Sequence, residues 1–187
     1  VTDSYPSRES YSVYGQTTYS FTDTFRLVSG LRYSEDTFKT NVTNFFNTET
    51  FAEKGTSDET TGKITGELDL SDLTMVYISF ARGFKPGGSN LTFGFTEAED
   101  AAAGRPIAPA LVFPTFEAET VDSIEFGLKT DLMDGRARAN IAAFSYTYEN
   151  LQFQATDPDP YRGGVANIPE SEMSGLEVEF KGLLNDS

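Results

Sequence analysis

Stretches of alternating apolar and polar residues in this chain are joined in a strict rhythm, by two or three residues and then by a long polar segment, from one end to the other. Thr22-Asp23, Ser71-Asp72-Leu73 and Met133-Asp134-Gly135 are the tight connections, and the segments near 38–59, 86–118 and 154–171 are the long ones. If the alternating stretches are antiparallel strands, every tight turn falls at one end of the sheet and every long connection at the other. Few folds have that asymmetry.

The strands are expected over about 9–21, 24–37, 60–71, 74–85, 119–132, 136–153 and 172–183. In "SIEFGLKTDL" (123–132), Ile124, Phe126, Leu128 and Leu132 fall on one face, and Ser123, Glu125, Gly127, Lys129 and Asp131 on the other. "GLEVEF" (175–180) and "KITGELDL" (63–70) repeat the pattern. Several strands reach about 12 residues, where a bilayer needs about 9 to 11 and a globular sheet uses 5 or 6. No apolar run approaches the roughly 20 residues of a membrane helix, but barrel strands cross with alternating hydrophobicity. The fold class expected is all-β: an antiparallel up-and-down transmembrane β-barrel segment of about seven strands with long extracellular loops.

Composition narrows the chemistry. There is no Cys and no His, which removes disulfides, thiolate metal sites and the commonest general base and metal ligand. The formal net charge of -15 speaks against nucleic acid as a partner. Glu125 with Glu177 or Glu179 is the pairing an acid–base enzyme would use, but nothing in the spacing encloses them, and a hydrated barrel wall with cross-strand ion pairs is the preferred reading. The acidic residues Glu97, Glu99, Asp100, Asp157 and Asp159 lack the ordered spacing of a calcium loop. No catalytic residue, metal site or cofactor is expected.

In "YISFARGFKPGG" (77–88) a strand runs into Lys85-Pro86-Gly87-Gly88, which ends a ladder and fits the rim of a barrel. Arg82 has the parity of the apolar face, so its guanidinium either rises to lipid phosphates or is turned inward by a bulge before Gly83. Phe144, Tyr146, Tyr148 and Phe153 read as an aromatic girdle.

"VYISFARGFKPGGSN" (76–90) resembles the strand-and-loop signature of TonB-dependent outer-membrane receptors. "ETVDSIEFGLKTDLMDGRARANIAAFSYTYENLQ" (119–152), "VANIPESEMSGLEVEF" (165–180) and "SYSVYGQTTYSFTDTFRLVSGLRYSED" (10–36) are similar to further segments of that family, and all four stand in family order. The family's plug domain, TonB-contacting box and aromatic-terminated last strand are not visible, so residues 1–187 are expected to be a partial barrel. The resemblance implies a receptor in the outer membrane of a Gram-negative bacterium, set in its lipid. It would take up a small-molecule ligand such as a metal chelate, a ferric siderophore foremost, or else cobalamin or an oligosaccharide, with energy coupled through TonB. A soluble β-sandwich binding module, lectin or adhesin-like, is the alternative, and it requires two apolar faces packed together. Within the long connections, Phe93, Phe95, Phe113, Phe116 and Tyr161 are the expected ligand contacts, with Arg105 and Arg162 suited to an anionic ligand.

Overall fold

The computed structural model describes residues 2–44, 50–90, 115–156 and 163–183. Seven long strands form one antiparallel sheet: β1 (Thr2–Ser20), β2 (Phe25–Asn44), β3 (Thr50–Ser71), β4 (Thr74–Lys85), β7 (Glu119–Leu132), β8 (Ala137–Thr156) and β9 (Gly163–Gly182). Each pairs with the next in sequence order, and the two-residue strands β5 (Gly88–Ser89) and β6 (Thr115–Phe116) pair with each other inside the β4–β7 connection. No strand crosses over another. The described residues contain no second layer, which rules out the sandwich alternative.

The tight turns are made by local chemistry. The Thr22 hydroxyl accepts the N–H of Phe25 at 2.9 Å, and the Ser71 hydroxyl accepts that of Leu73 at 3.3 Å. At 133–136, Met133, Asp134 and Gly135 all have positive φ (54°, 55° and 83°), the backbone hand a two-strand hairpin prefers.

Two expected long connections need correction, and β1 begins at Thr2 rather than near 9. The segments near 38–59 and 154–171 are largely strand, because β2 and β3 pair as far as Thr43↔Thr50 and β8 and β9 as far as Thr156↔Gly163. Strand pairing depends on the backbone, and these outer stretches, such as "TSDETTG" at 56–62, are polar on both faces. Without an apolar face they carry no period-two signal, so they resemble loops in sequence.

The sheet has no large interior. Only Ala137 and Ala155 are buried apolar residues among those described, while Phe126 is 56% exposed, Leu176 69%, Val178 64% and Phe180 63%. The cross-strand register puts these exposed side chains, with Ile64, Phe80, Ile78 and Ile124, on one face. Moving outward from the tight turns, the first charges on that face are Glu9, Glu35, Asp58, Arg82, Asp122, Glu149 and Glu172, strand by strand. Followed through the register, extended one step beyond Gly62↔Arg82 for Glu149, those seven stand opposite β1 positions 9, 11, 11, 15, 15, 13 and 15. A shift of six residues over six strand intervals is about 20 Å in about 29 Å, a slope near 35°, as expected where strands cross a bilayer at roughly 35–45°.

The charge-free band has aromatic margins. Tyr19 and Phe25 stand at its turn end, where Phe21 stacks on Phe25 at 5.5 Å and meets Tyr19 edge-on at 4.8 Å, and Tyr11 and Tyr33 stand at the other end. Eight residues separate the members of each pair along a strand, about 27 Å, or about 22 Å of height at that slope, close to the apolar band of a membrane barrel. The isolated chain, with this face and two open strand edges, is expected to need detergent or the rest of its barrel. A monodisperse detergent-free monomer with a sharp melt in ultracentrifugation and calorimetry would contradict this.

Candidate functional site

The opposite face is polar, and several of its charges are paired, most of them across strands. Arg26 donates from Nε to Glu67 Oε2 at 2.5 Å and from Nη1 to Asp69 Oδ2 at 2.6 Å. Arg138 Nε donates to Asp131 at 2.6 Å, and Glu179 receives Asn140 Nδ2 and Lys181 Nζ, both at 2.8 Å. Tyr77 donates its hydroxyl to Glu125 Oε1 at 2.6 Å, with Lys129 Nζ 5.2 Å from the Tyr77 ring centre. These pairs are open to solvent, which screens them, so they add little to holding the sheet together. Glu125 is engaged by Tyr77, and no three ligating acidic side chains converge among the described residues.

Aromatic rings on this face lie flat over glycines of the neighbouring strand. Tyr77 covers Gly127, Phe144 covers Gly175 and Phe38 covers Gly55, each pair directly opposite in register. Phe144 also stacks on Tyr146 at 4.8 Å. The girdle reading is therefore corrected for Phe144, Tyr146 and Tyr148: they stand opposite Glu125, Ser123 and Val121 and share the polar face, because their parity is that of Asn140 and opposite to that of Ile141. The lack of a Cβ lets a ring lie against the sheet instead of standing in the lumen.

Arg82 keeps the parity of the apolar face, as the first of its two expected readings has it, but its guanidinium meets a carboxylate. Its register is unbroken from Arg82↔Asp122 to Lys85↔Glu119, so no bulge turns it inward. Its Nε donates to Asp122 Oδ1 at 2.7 Å and its Nη2 to Oδ2 at 2.5 Å, with Glu59 at 3.9 Å. A bidentate pair with the opposite strand meets the charge at the outer edge of the apolar band.

At the long-connection end, Pro86 to Asn90 and Glu117 form a bridge from one edge strand to the other. On the β1–β3 side, Gly87 O accepts Arg8 Nη2 at 2.8 Å, Gly87 N–H donates to the Ser57 hydroxyl at 3.3 Å, and Ser89 and Thr40 hydroxyls meet at 2.5 Å. On the β8–β9 side three side-chain amides take over. Gln152 Nε2 donates to Pro86 O at 3.1 Å and Glu117 O at 3.0 Å. Asn167 exchanges two bonds with the Glu117 backbone (2.8 and 3.1 Å), and Asn90, only 5% exposed, exchanges two with that of Val165 (2.7 and 2.8 Å). These amides sit far apart in the sequence, and no local pattern announces them.

Of the expected ligand contacts, Phe93, Phe95, Arg105, Phe113, Tyr161 and Arg162 lie outside the described residues. Phe116 is described: it pairs with Gly88 and lays its ring where a Cβ of Gly88 would stand, so it closes the β5–β6 ladder.

Comparison with known proteins gives this geometry a setting. A family model described as TonB dependent receptor-like, beta-barrel, matches residues 1–185. The chain is 27% identical over 184 residues to the pesticin receptor of Yersinia enterocolitica, covering 95% of this chain and 24% of that protein. Among solved structures it resembles the ferric yersiniabactin uptake receptor FyuA from Yersinia pestis, with a TM-score of 0.71, 22% identity and coverage of 98% of this chain and 26% of the other. It also resembles the siderophore receptor PiuA from Acinetobacter baumannii, with a TM-score of 0.69, 23% identity and coverage of 97% and 24%. The chain thus spans about a quarter of the length of the relatives it matches.

Proposed function

The chain belongs to the TonB-dependent receptor-like β-barrel family, and from that premise we propose that it is part of the wall of a receptor that takes up a ferric siderophore, with energy delivered through TonB. Receptors of this family sit in the outer membrane of Gram-negative bacteria, and the uncharged outward band with its aromatic margins suits that lipid. The observation that carries the reading is the family match along 1–185, on a sheet whose polar face pairs Arg26 and Tyr77 with neighbouring carboxylates. Its relatives are receptors rather than enzymes. The ligand class follows the relatives named for ferric yersiniabactin and siderophores, with cobalamin and oligosaccharides as the competing ligands.

In this reading the tight turns face the periplasm, and the connections around 45–49, 86–118 and 157–162 open outside the cell, where Phe93, Phe95, Phe113, Tyr161, Arg105 and Arg162 meet the ligand. Phe116 then contributes by holding the root of its connection. TonB and the gating parts act through regions outside this chain.

Growth of a strain lacking the complete gene, restored by the intact receptor, tests this. Rescue on one or more ferric siderophores is expected, and Phe113→Ala with Tyr161→Ala should weaken binding on whole cells about tenfold or more at unchanged surface expression, as loss of aromatic anchors does. Rescue only on cobalamin or a glycan would refute the ligand class, and unchanged affinity would leave the two aromatics a packing role.

A further inference from the structure

We propose that the Asn90 side chain takes the place of a neighbouring strand on the open edge of β9, so that the next strand of the complete barrel pairs with β9 only on the turn side of Pro169. The proposal rests on the barrel reading and is independent of the ligand.

The register sets Val165 opposite Gln154 of β8, yet both backbone groups of Val165 are bonded elsewhere. Its N–H donates to Asn90 Oδ1 at 2.8 Å, and its carbonyl accepts Asn90 Nδ2 at 2.7 Å. In an extended strand the N–H and C=O of one residue point to the same side. Both groups of Val165 therefore point away from β8, toward the edge where a further strand would lie. A primary amide offers one donor and one acceptor in the spacing of a peptide group, and here it supplies both.

The orientation of Val165 has a visible cause. Near the turn end, Leu183 N–H donates to Arg136 O at 2.9 Å, so odd-numbered residues face β8 there. The phase reverses at Asn150, whose φ is 53° and which stands opposite Pro169, between the pairs Glu149↔Glu170 and Leu151↔Ile168. Proline has no N–H to donate. The Asn150 carbonyl instead accepts Asn167 Nδ2 at 2.7 Å, and Gln152 N–H donates to Glu119 Oε2 at 2.7 Å rather than across to β9. Beyond this switch, the groups that face β8 near the turns face the open edge.

Asn90 ends the described part of the β4–β7 connection, and Val165 lies just beyond the 157–162 connection. The amide pair thus joins the roots of two connections and closes the seam above Pro169 by a side chain.

Residue-resolved hydrogen exchange on the intact receptor in detergent micelles tests this. The Val165 amide should be protected in the native protein and exchange about tenfold faster or more in Asn90→Ala, with the Phe126 amide of β7 unchanged. Asn90→Asp keeps an acceptor but sets a carboxylate oxygen against the Val165 carbonyl where Asn90 Nδ2 donates, so Val165 should exchange faster there too. Unchanged Val165 protection in Asn90→Ala would show that a strand covers this edge and would overturn the proposal. If Asn90→Ala unfolds the sheet, Asn90→Asp decides: Val165 as slow as in the native protein while Phe126 stays protected would show a covering strand and overturn it as well.

Discussion

Replacing Phe126 with lysine in the intact receptor is expected to cost about 2–4 kcal/mol of folding stability in lipid vesicles, the range for a lysine at the midplane of an outward barrel face. Phe126 is 56% exposed with no lipid present and stands between Ile78 of β4 and Ala143 of β8, in the middle rows of the charge-free band. For a water-soluble sheet the same substitution would be mild, since an exposed charge is well solvated. Depth is the discriminating variable. Ser174 shares that face but lies one step inside Glu172, at the slanted outer limit of the band, so Ser174→Lys should cost only about 0–1 kcal/mol. Denaturant titration followed by circular dichroism in vesicles measures both, and equal costs at the two positions would remove the lipid assignment of this face.

The membrane-spanning part of the fold was legible because nothing in a one-layer sheet competes with its period. Ile124, Phe126 and Leu128 against Glu125, Gly127 and Lys129 stay on opposite faces in the structure as in the sequence. Sequential pairing followed from tight turns alternating with long connections. Legibility ended where the solvent is the same on both sides: the outer parts of β2, β3 and β9 are held by backbone pairing and scattered polar side-chain bonds and carry no continuous apolar stripe. It also ended where a role depends on a partner distant in the chain. Arg82 looked like a lone charge because Asp122 is 40 residues away, and only the register brings them together. Phe144 and Tyr146 are a different case, since parity against Ile141 and Ala143 was available and points them to the polar face. Asn90, Gln152 and Asn167 offered no signal; amides in a polar stretch are unremarkable until the backbone groups they serve are placed.

Gly127→Ala is expected to destabilise the receptor by about 1–3 kcal/mol, the range for overpacking, although alanine normally suits a strand better than glycine by about 0.5–1 kcal/mol. The Tyr77 ring occupies the space a Cβ at Gly127 would need, with ring carbons and the hydroxyl all in that volume. The ring would have to lift off the sheet, and with it would go the 2.6 Å bond to Glu125 and the approach of Lys129. Gly15 supplies the contrast, for nothing lies within 4 Å of a Cβ built there, and Gly15→Ala should be neutral or slightly stabilising. A double-mutant cycle isolates the cause. In a Tyr77→Ala background the obstruction is gone, so Gly127→Ala should turn neutral or stabilising, and the two changes should couple by about 1–3 kcal/mol, as residues in direct contact do. If Gly127→Ala costs the same with and without Tyr77, the glycine serves the backbone rather than the ring, and the packing of aromatics over glycines would not account for its place on this wall.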